Sequence, residues 1–137
     1  MRVYADGSAL VRYLTGVPQS DEWSRWAADR EPDLLVTSLS LSELRAAAAG
    51  QTASVRMRAL DVADRLEEVR YFDQALRLAS MVTGVLSPFG ALHLGVAAAH
   101  PEVGAIATYD ARLAQVARMY HLVVVSPGLP EDWFAAR

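Results

Sequence analysis

The chain has 137 residues, enough for one domain with its own core. Sixteen acidic residues outnumber thirteen basic ones, for a net charge of −3, which excludes a protein that coats nucleic acid through its overall charge. With no cysteine, disulfide frameworks, zinc fingers and thiol nucleophiles are excluded too. No apolar run approaches the roughly 20 residues of a membrane span. The opening MRVYAD meets an acid at its sixth residue, unlike a secretory signal. A single cytoplasmic domain over residues 1–137, with no membrane segment, is expected. Every basic side chain is arginine; coding bias explains that usage, and guanidinium forks also suit phosphate groups.

In chain order, Arg2–Ala5 reads as a short buried strand. Gly7 and Ser8 open an apolar helix to about Leu14, broken by Gly16-Val17-Pro18. Ser20 or Asp21 caps a second helix to about Arg30, with Trp23, Trp26 and Ala27 on one face. Leu34–Thr37 is a strand, followed by a helix to about Ala49 that stops at Gly50. Residues 53–67 form a helix with Val55, Leu60, Val62, Ala63 and Leu66 as its apolar positions. Val69–Phe72 is a strand, and Asp73 caps a helix to about Val82. Pro88 suits the first turn of a helix ending near Ala99. Gly104–Thr108 is a strand, 111–119 a helix and Leu122–Val125 a last strand. Strands alternating with helices imply a parallel α/β sheet covered on both faces.

Three acids stand at apolar boundaries in this scheme. Asp6 ends the first strand, Asp110 follows AIATY, and Glu43 lies just inside the helix that leaves LLVTS. In a parallel sheet, ligands bind beyond the carboxyl ends of the strands. Carboxylates gathered there repel one another unless a cation neutralises them, and Mg²⁺ prefers oxygen ligands. Each acid also has a structural reading. Asp6 and Asp110 can cap helices, and Ser40-Leu41-Ser42-Glu43 matches a capping box in which Glu43 reaches back to the Ser40 amide. A helix cap at a sheet edge is compatible with a ligand role.

The segments DGSALVRYL, VTSLSLSELRAAA, SPFGALHLGVAAA and AIATYDARLAQVA resemble, in order, the motifs of PIN domains. The length and the ending VVVSP resemble the VapC toxins of bacterial toxin–antitoxin pairs. The resemblance implies a three-layer α/β/α fold with a mostly parallel sheet of four to five strands. It implies a Mg²⁺- or Mn²⁺-dependent endoribonuclease toxin, a cognate VapB antitoxin and a homodimer. Asp6, Glu43 and Asp110 fall on the family's catalytic and metal-binding acids, with RNA as the substrate. The metal would activate water against a phosphodiester and steady the leaving oxygen.

One position departs from the family pattern. Gly90, in Phe89-Gly90-Ala91-Leu92-His93, stands where the family carries a further aspartate. Two explanations stand side by side: an inactivating substitution, or a naturally weakened site. The alternative function is a catalytically impaired PIN-like module that binds antitoxin or RNA without cutting. Ser8 and Thr108 are expected to orient the carboxylates or to cap strand ends. Arg12, Arg45 and Arg112 lie close in sequence to the acids and are RNA-contact candidates, or else solvated helix faces. His93 reads as a core histidine, and Trp23 with Trp26 as core or as a half-exposed docking pair. Without G-x-S-x-G, a G-x-G-x-x-G run or a P-loop, neither a hydrolase triad nor a nucleotide cofactor is supported. A receiver-like signalling domain is disfavoured because the chain has no lysine.

Overall fold

The structure is a computed structural model that describes residues 1–135. Among these residues, five strands form one sheet: β1 (Arg2–Ala5), β2 (Leu34–Val36), β3 (Glu67–Glu68), β4 (Val103–Ala107) and β5 (Val123–Val125). They lie in the order β3-β2-β1-β4-β5, and every pairing is parallel. Seven α-helices connect them among the described residues: α1 (Gly7–Leu10), α2 (Ser20–Arg30), α3 (Ser38–Ala48), α4 (Ala53–Arg65), α5 (Asp73–Met81), α6 (Pro88–Ala99) and α7 (Ala111–Met119).

The strand period of two divides the core. Val3, Ala5, Leu34, Val36, Ala105 and Ala107 pack into one layer with Leu10, Trp23, Leu44 and Val62 from α1 to α4. Tyr4 and Ile106 pack into the other with Ala75, Ala79, Leu94 and Leu113 from α5 to α7. The result is the three-layer α/β/α arrangement expected of the sequence. Short apolar strands can be buried on both faces because helices cover both.

The elements differ from the sequence expectations in a few places. The first helix is α-helical only to Leu10 and tightens into a 3₁₀ turn at Val11–Tyr13, a common way for a helix to end. Gln19, at φ 62°, precedes α2, so Ser20 and Asp21 lie within the helix rather than capping it. The strand expected at Val69–Phe72 is displaced to Glu67–Glu68; Val69 N–H adds one bond to Val36 O (2.7 Å), and the chain then leaves the sheet. Tyr71 and Phe72 pack instead on the α5–α7 core layer. Phe72, not Asp73, precedes α5. Leu60 points outward at 55% exposure instead of joining the core. Trp23 is fully buried, its ring edge-on to Tyr13, so only Trp26 of the expected half-exposed pair keeps exposed surface.

Because the strands are parallel, their carboxyl ends share one edge. The α6 carboxyl end leads into the start of β4, so the α6 amino end lies at that same edge. Strands β2 and β4 flank β1 on opposite sides. Their carboxyl ends therefore form the crevice where such sheets reverse their winding.

Candidate metal and nuclease site

Asp6 is the first residue beyond β1 and the N-cap of α1. Its Oδ1 accepts from Ala9 N–H (2.9 Å) and Ser8 Oγ (2.7 Å), and its Oδ2 accepts from Thr108 Oγ1 (2.6 Å). The side chain is 3% exposed. Burial pushes its carboxyl pKa up, opposed by the charge of His93 when that ring is protonated and then by the Thr108, Ser8 and Ala9 hydrogen bonds. An acid this deep, ringed by donors that favour its charged form, is a site where a cation would relieve the desolvation cost.

Glu43 is carried by α3. Thr37 and Ser40 close a capping box on this helix, so the box does not involve Glu43. Glu43 Oε1 accepts from Gly7 N–H (3.0 Å) and lies 2.7 Å from His93 Nε2. Its Oε2 has no hydrogen-bond partner among the described residues. The contact with α1 requires glycine at position 7, where a Cβ would overlap the Glu43 side chain.

Asp110 caps α7 through Leu113 N–H (3.1 Å) and is solvent-exposed, leaving its Oδ2 free of protein partners among the described residues. Its own N–H donates to Thr108 Oγ1 (3.0 Å), the hydroxyl that bonds Asp6. The three acids are thus joined at one edge, Glu43 through Gly7 and Asp110 through Thr108. Ser8 and Thr108 hold Asp6 directly, and Ser8 Oγ also accepts from Tyr109 N–H (2.8 Å). Among the described residues, however, no three His, Cys, Asp or Glu side chains close into a cage ready for a metal ion.

The arginines are placed unequally. The Arg12 guanidinium stacks 4.3 Å over the Tyr109 ring, next to Asp110, and its buried Nε has no partner among the described residues. Arg112 reaches the loop before α6, where Nη1 donates to Val85 O (3.4 Å). Arg45 lies two residues beyond Glu43, about 200° round the helix, and lines an apolar groove with Ala48, Arg56, Ala59 and Leu60 instead. Gly90 is in the first turn of α6, where its N–H is capped by Ser87 Oγ (3.1 Å). It precedes His93 by three residues and shares its helix face. A Cβ there would meet Ser87 Oγ at 3.3 Å, Leu86 Cβ at 3.6 Å and Leu86 Cδ2 at 4.0 Å, so a side chain enters once the Ser87 hydroxyl gives by a few tenths of an ångström.

Sequence reasoning missed Tyr4 and undervalued His93. His93 is buried, as expected of a core histidine, but its ring bridges the Tyr4 hydroxyl and Glu43. No local pattern could announce contacts that span such sequence separations. The one available hint was a histidine three residues after the position of the missing acid.

Residues 3–119 match the PIN domain. The chain belongs to the PIN-domain family. This PIN domain is also similar to Ribonuclease VapC46 of Mycobacterium tuberculosis (strain ATCC 25618 / H37Rv), with 28% identity over 131 residues, covering 91% of this chain and 97% of the relative. Within the PIN domain, Asp6, Glu43 and Asp110 occupy the carboxyl edge of β1, the first turns of α3 and the cap of α7. Among the described residues, no helix is long and apolar enough to cross a membrane.

Proposed function

We propose that this PIN domain is an endoribonuclease toxin of the VapC type that uses Mg²⁺, or Mn²⁺, to cleave RNA phosphodiester bonds. The observation that carries the reading is the joining of Asp6, Glu43 and Asp110 at one sheet edge through Gly7 and Thr108. The similarity to a protein named as a VapC ribonuclease supports it. In keeping with the resemblance of its motifs to VapC toxins, a cognate VapB-type antitoxin would neutralise the chain, which would act as a cytoplasmic homodimer.

The donor chemistry fits a hard divalent cation. All three acids offer oxygen, Glu43 Oε2 and Asp110 Oδ2 are free of protein partners among the described residues, and a cation would offset the burial of the Asp6 charge. Asp6, Glu43 and Asp110 would hold the ion directly or through water. Bound there, it would supply an activated water and charge stabilisation at the leaving oxygen. The chain's own residues do the rest. Thr108 and Ser8 fix the Asp6 carboxylate, and Gly7 N–H fixes Glu43. Arg12, stacked on Tyr109 and without an ion-pair partner among the described residues, is the arginine best placed to receive an RNA phosphate; Arg112 is second.

Gly90 favours a companion reading, in which the present chain binds antitoxin or RNA but cuts feebly. Losing a carboxylate relaxes the positioning of the reacting water, and a misplacement of about 1 Å can cost on the order of 10²-fold in rate. Incubating total RNA with this chain, with Gly90→Asp and with the double variant Gly90→Asp/Asp6→Asn tests both. Cleavage and bacterial growth arrest should return in the first variant and vanish in the second. An inert Gly90→Asp protein would leave only the binding reading. Co-expression with a VapB-type antitoxin should relieve the arrest; persistent arrest contradicts that partner.

A further inference from the structure

Behind Glu43, a chain of buried polar groups runs back into the sheet. Tyr4 Oη lies 2.6 Å from His93 Nδ1, 2.9 Å from Thr37 Oγ1 and 3.2 Å from Ser40 Oγ. All four side chains are buried. Each hydroxyl has one proton to give. Ser40 Oγ donates to Ala5 O (2.8 Å), which uses its proton. The Thr37 hydroxyl is left to donate to Tyr4 or Ser40. If Tyr4 gave its proton to either of them, a neutral His93 would need Nδ1–H to reach Tyr4. Its Nε2 lone pair would then face Glu43 Oε1 at 2.7 Å, two acceptors in contact. For a neutral His93, the consistent assignment has Tyr4 donating to Nδ1 and His93 donating from Nε2 to Glu43.

We propose that His93 is a positioning residue for Glu43: its Nε2–H, held in that tautomer by the Tyr4 hydroxyl, anchors Oε1 and leaves Oε2 as the free oxygen at the reaction edge. The proposal rests on the reading of Glu43 as a metal-holding residue. With Gly7 N–H as the second donor, Oε1 is held from two sides, one from α1 and one from α6. A carboxylate fixed through one oxygen presents the other in a single orientation. Outer hydrogen bonds of this sort commonly change metal affinity or activity by 10–100-fold when removed.

The test has two arms. Long-range ¹H–¹⁵N correlation spectra of the imidazole at neutral pH should show His93 protonated on Nε2 alone, and Tyr4→Phe should release it to a tautomer mixture. Paramagnetic broadening of the Gly7 amide by Mn²⁺ alone then reports cation binding beside Glu43. His93→Leu should weaken the apparent Mn²⁺ affinity on the order of tenfold or more. His93→Gln, whose amide can place an N–H near the Nε2 position, should restore most of it and keep the Gly7 amide shift. A proton on Nδ1, an unchanged tautomer in Tyr4→Phe, Leu binding as tightly as His, or Gln as weakly as Leu each overturns the proposal. If Mn²⁺ broadens nothing in the parent chain, the cation reading of the edge fails. The tautomer and the Gly7 shift in the Leu and Gln variants still decide the positioning role. Should His93→Leu not fold, the parent and Tyr4→Phe spectra decide it.

Discussion

Gly7 is the residue where the backbone and the proposed site meet most tightly. Its amide bonds Glu43, and the absence of a side chain lets α3 approach α1. Gly7→Ala should therefore displace the glutamate, costing about 1–3 kcal/mol of stability by overpacking together with Mn²⁺ binding. Thermal melts and Mn²⁺ titration check both, and an alanine variant that keeps both would show that the contact is slack. Asp6→Asn should behave in the opposite way. Asparagine caps a helix about as well as aspartate, so the change in stability should stay within about 1 kcal/mol. The amide also removes a buried charge whose pKa is pushed up by burial. Mn²⁺ binding should nevertheless be lost; an unfolded variant, or one that binds as before, contradicts the assignment. Asp6 and Asp110 were legible in the sequence because an acid after an apolar strand is a local signal. The roles of Tyr4 and His93 were not, because their bonds to each other and to Glu43 span long separations.

Elements were read well where burial and period agree. The strands β1, β2, β4 and β5 and the helices α2, α3, α6 and α7 lie where their patterns put them, within a few residues. The strand expected at 69–72 slid because β-branched and aromatic residues can serve a helical layer as well as an edge strand. One cross-element contact was invisible to periodicity. Glu31, in the 3₁₀ turn Glu31–Asp33 after α2, pairs with Arg65 at the end of α4 (2.9 Å) and accepts from Tyr13 Oη (2.6 Å). The Arg65 hydrogen bond leads in holding its carboxyl below the usual range, with help from Tyr13. A carboxylate depressed in the folded state stabilises above its unfolded pKa and loses that contribution as pH falls through the folded value. Acid should thus destabilise the chain from about pH 5 downward, and Glu31→Gln should flatten that dependence while lowering stability at neutral pH. Melting curves across pH 3–7 that coincide in shape for both proteins would contradict this.

At the scale of the molecule, the parallel sheet gathers the ends of β1, β2 and β4 and the start of α6 at one edge. The three acids, Arg12 and position 90 all belong to that edge. Gly90→Asp should not harm the fold. Its Cβ would press only lightly on the Ser87 hydroxyl, at 3.3 Å, and an acid in the first turn of α6 suits the helix dipole by about 0.3–1 kcal/mol, offset in part by its acidic neighbours. Calorimetric titration of Mn²⁺ into the parent chain, Gly90→Asp and Gly90→Asp/Asp6→Asn bears directly on the metal role of this edge. Binding should be weak in the first, at least about tenfold tighter in the second and absent in the third. Equal affinity in all three proteins, or no binding to Gly90→Asp, would contradict that role.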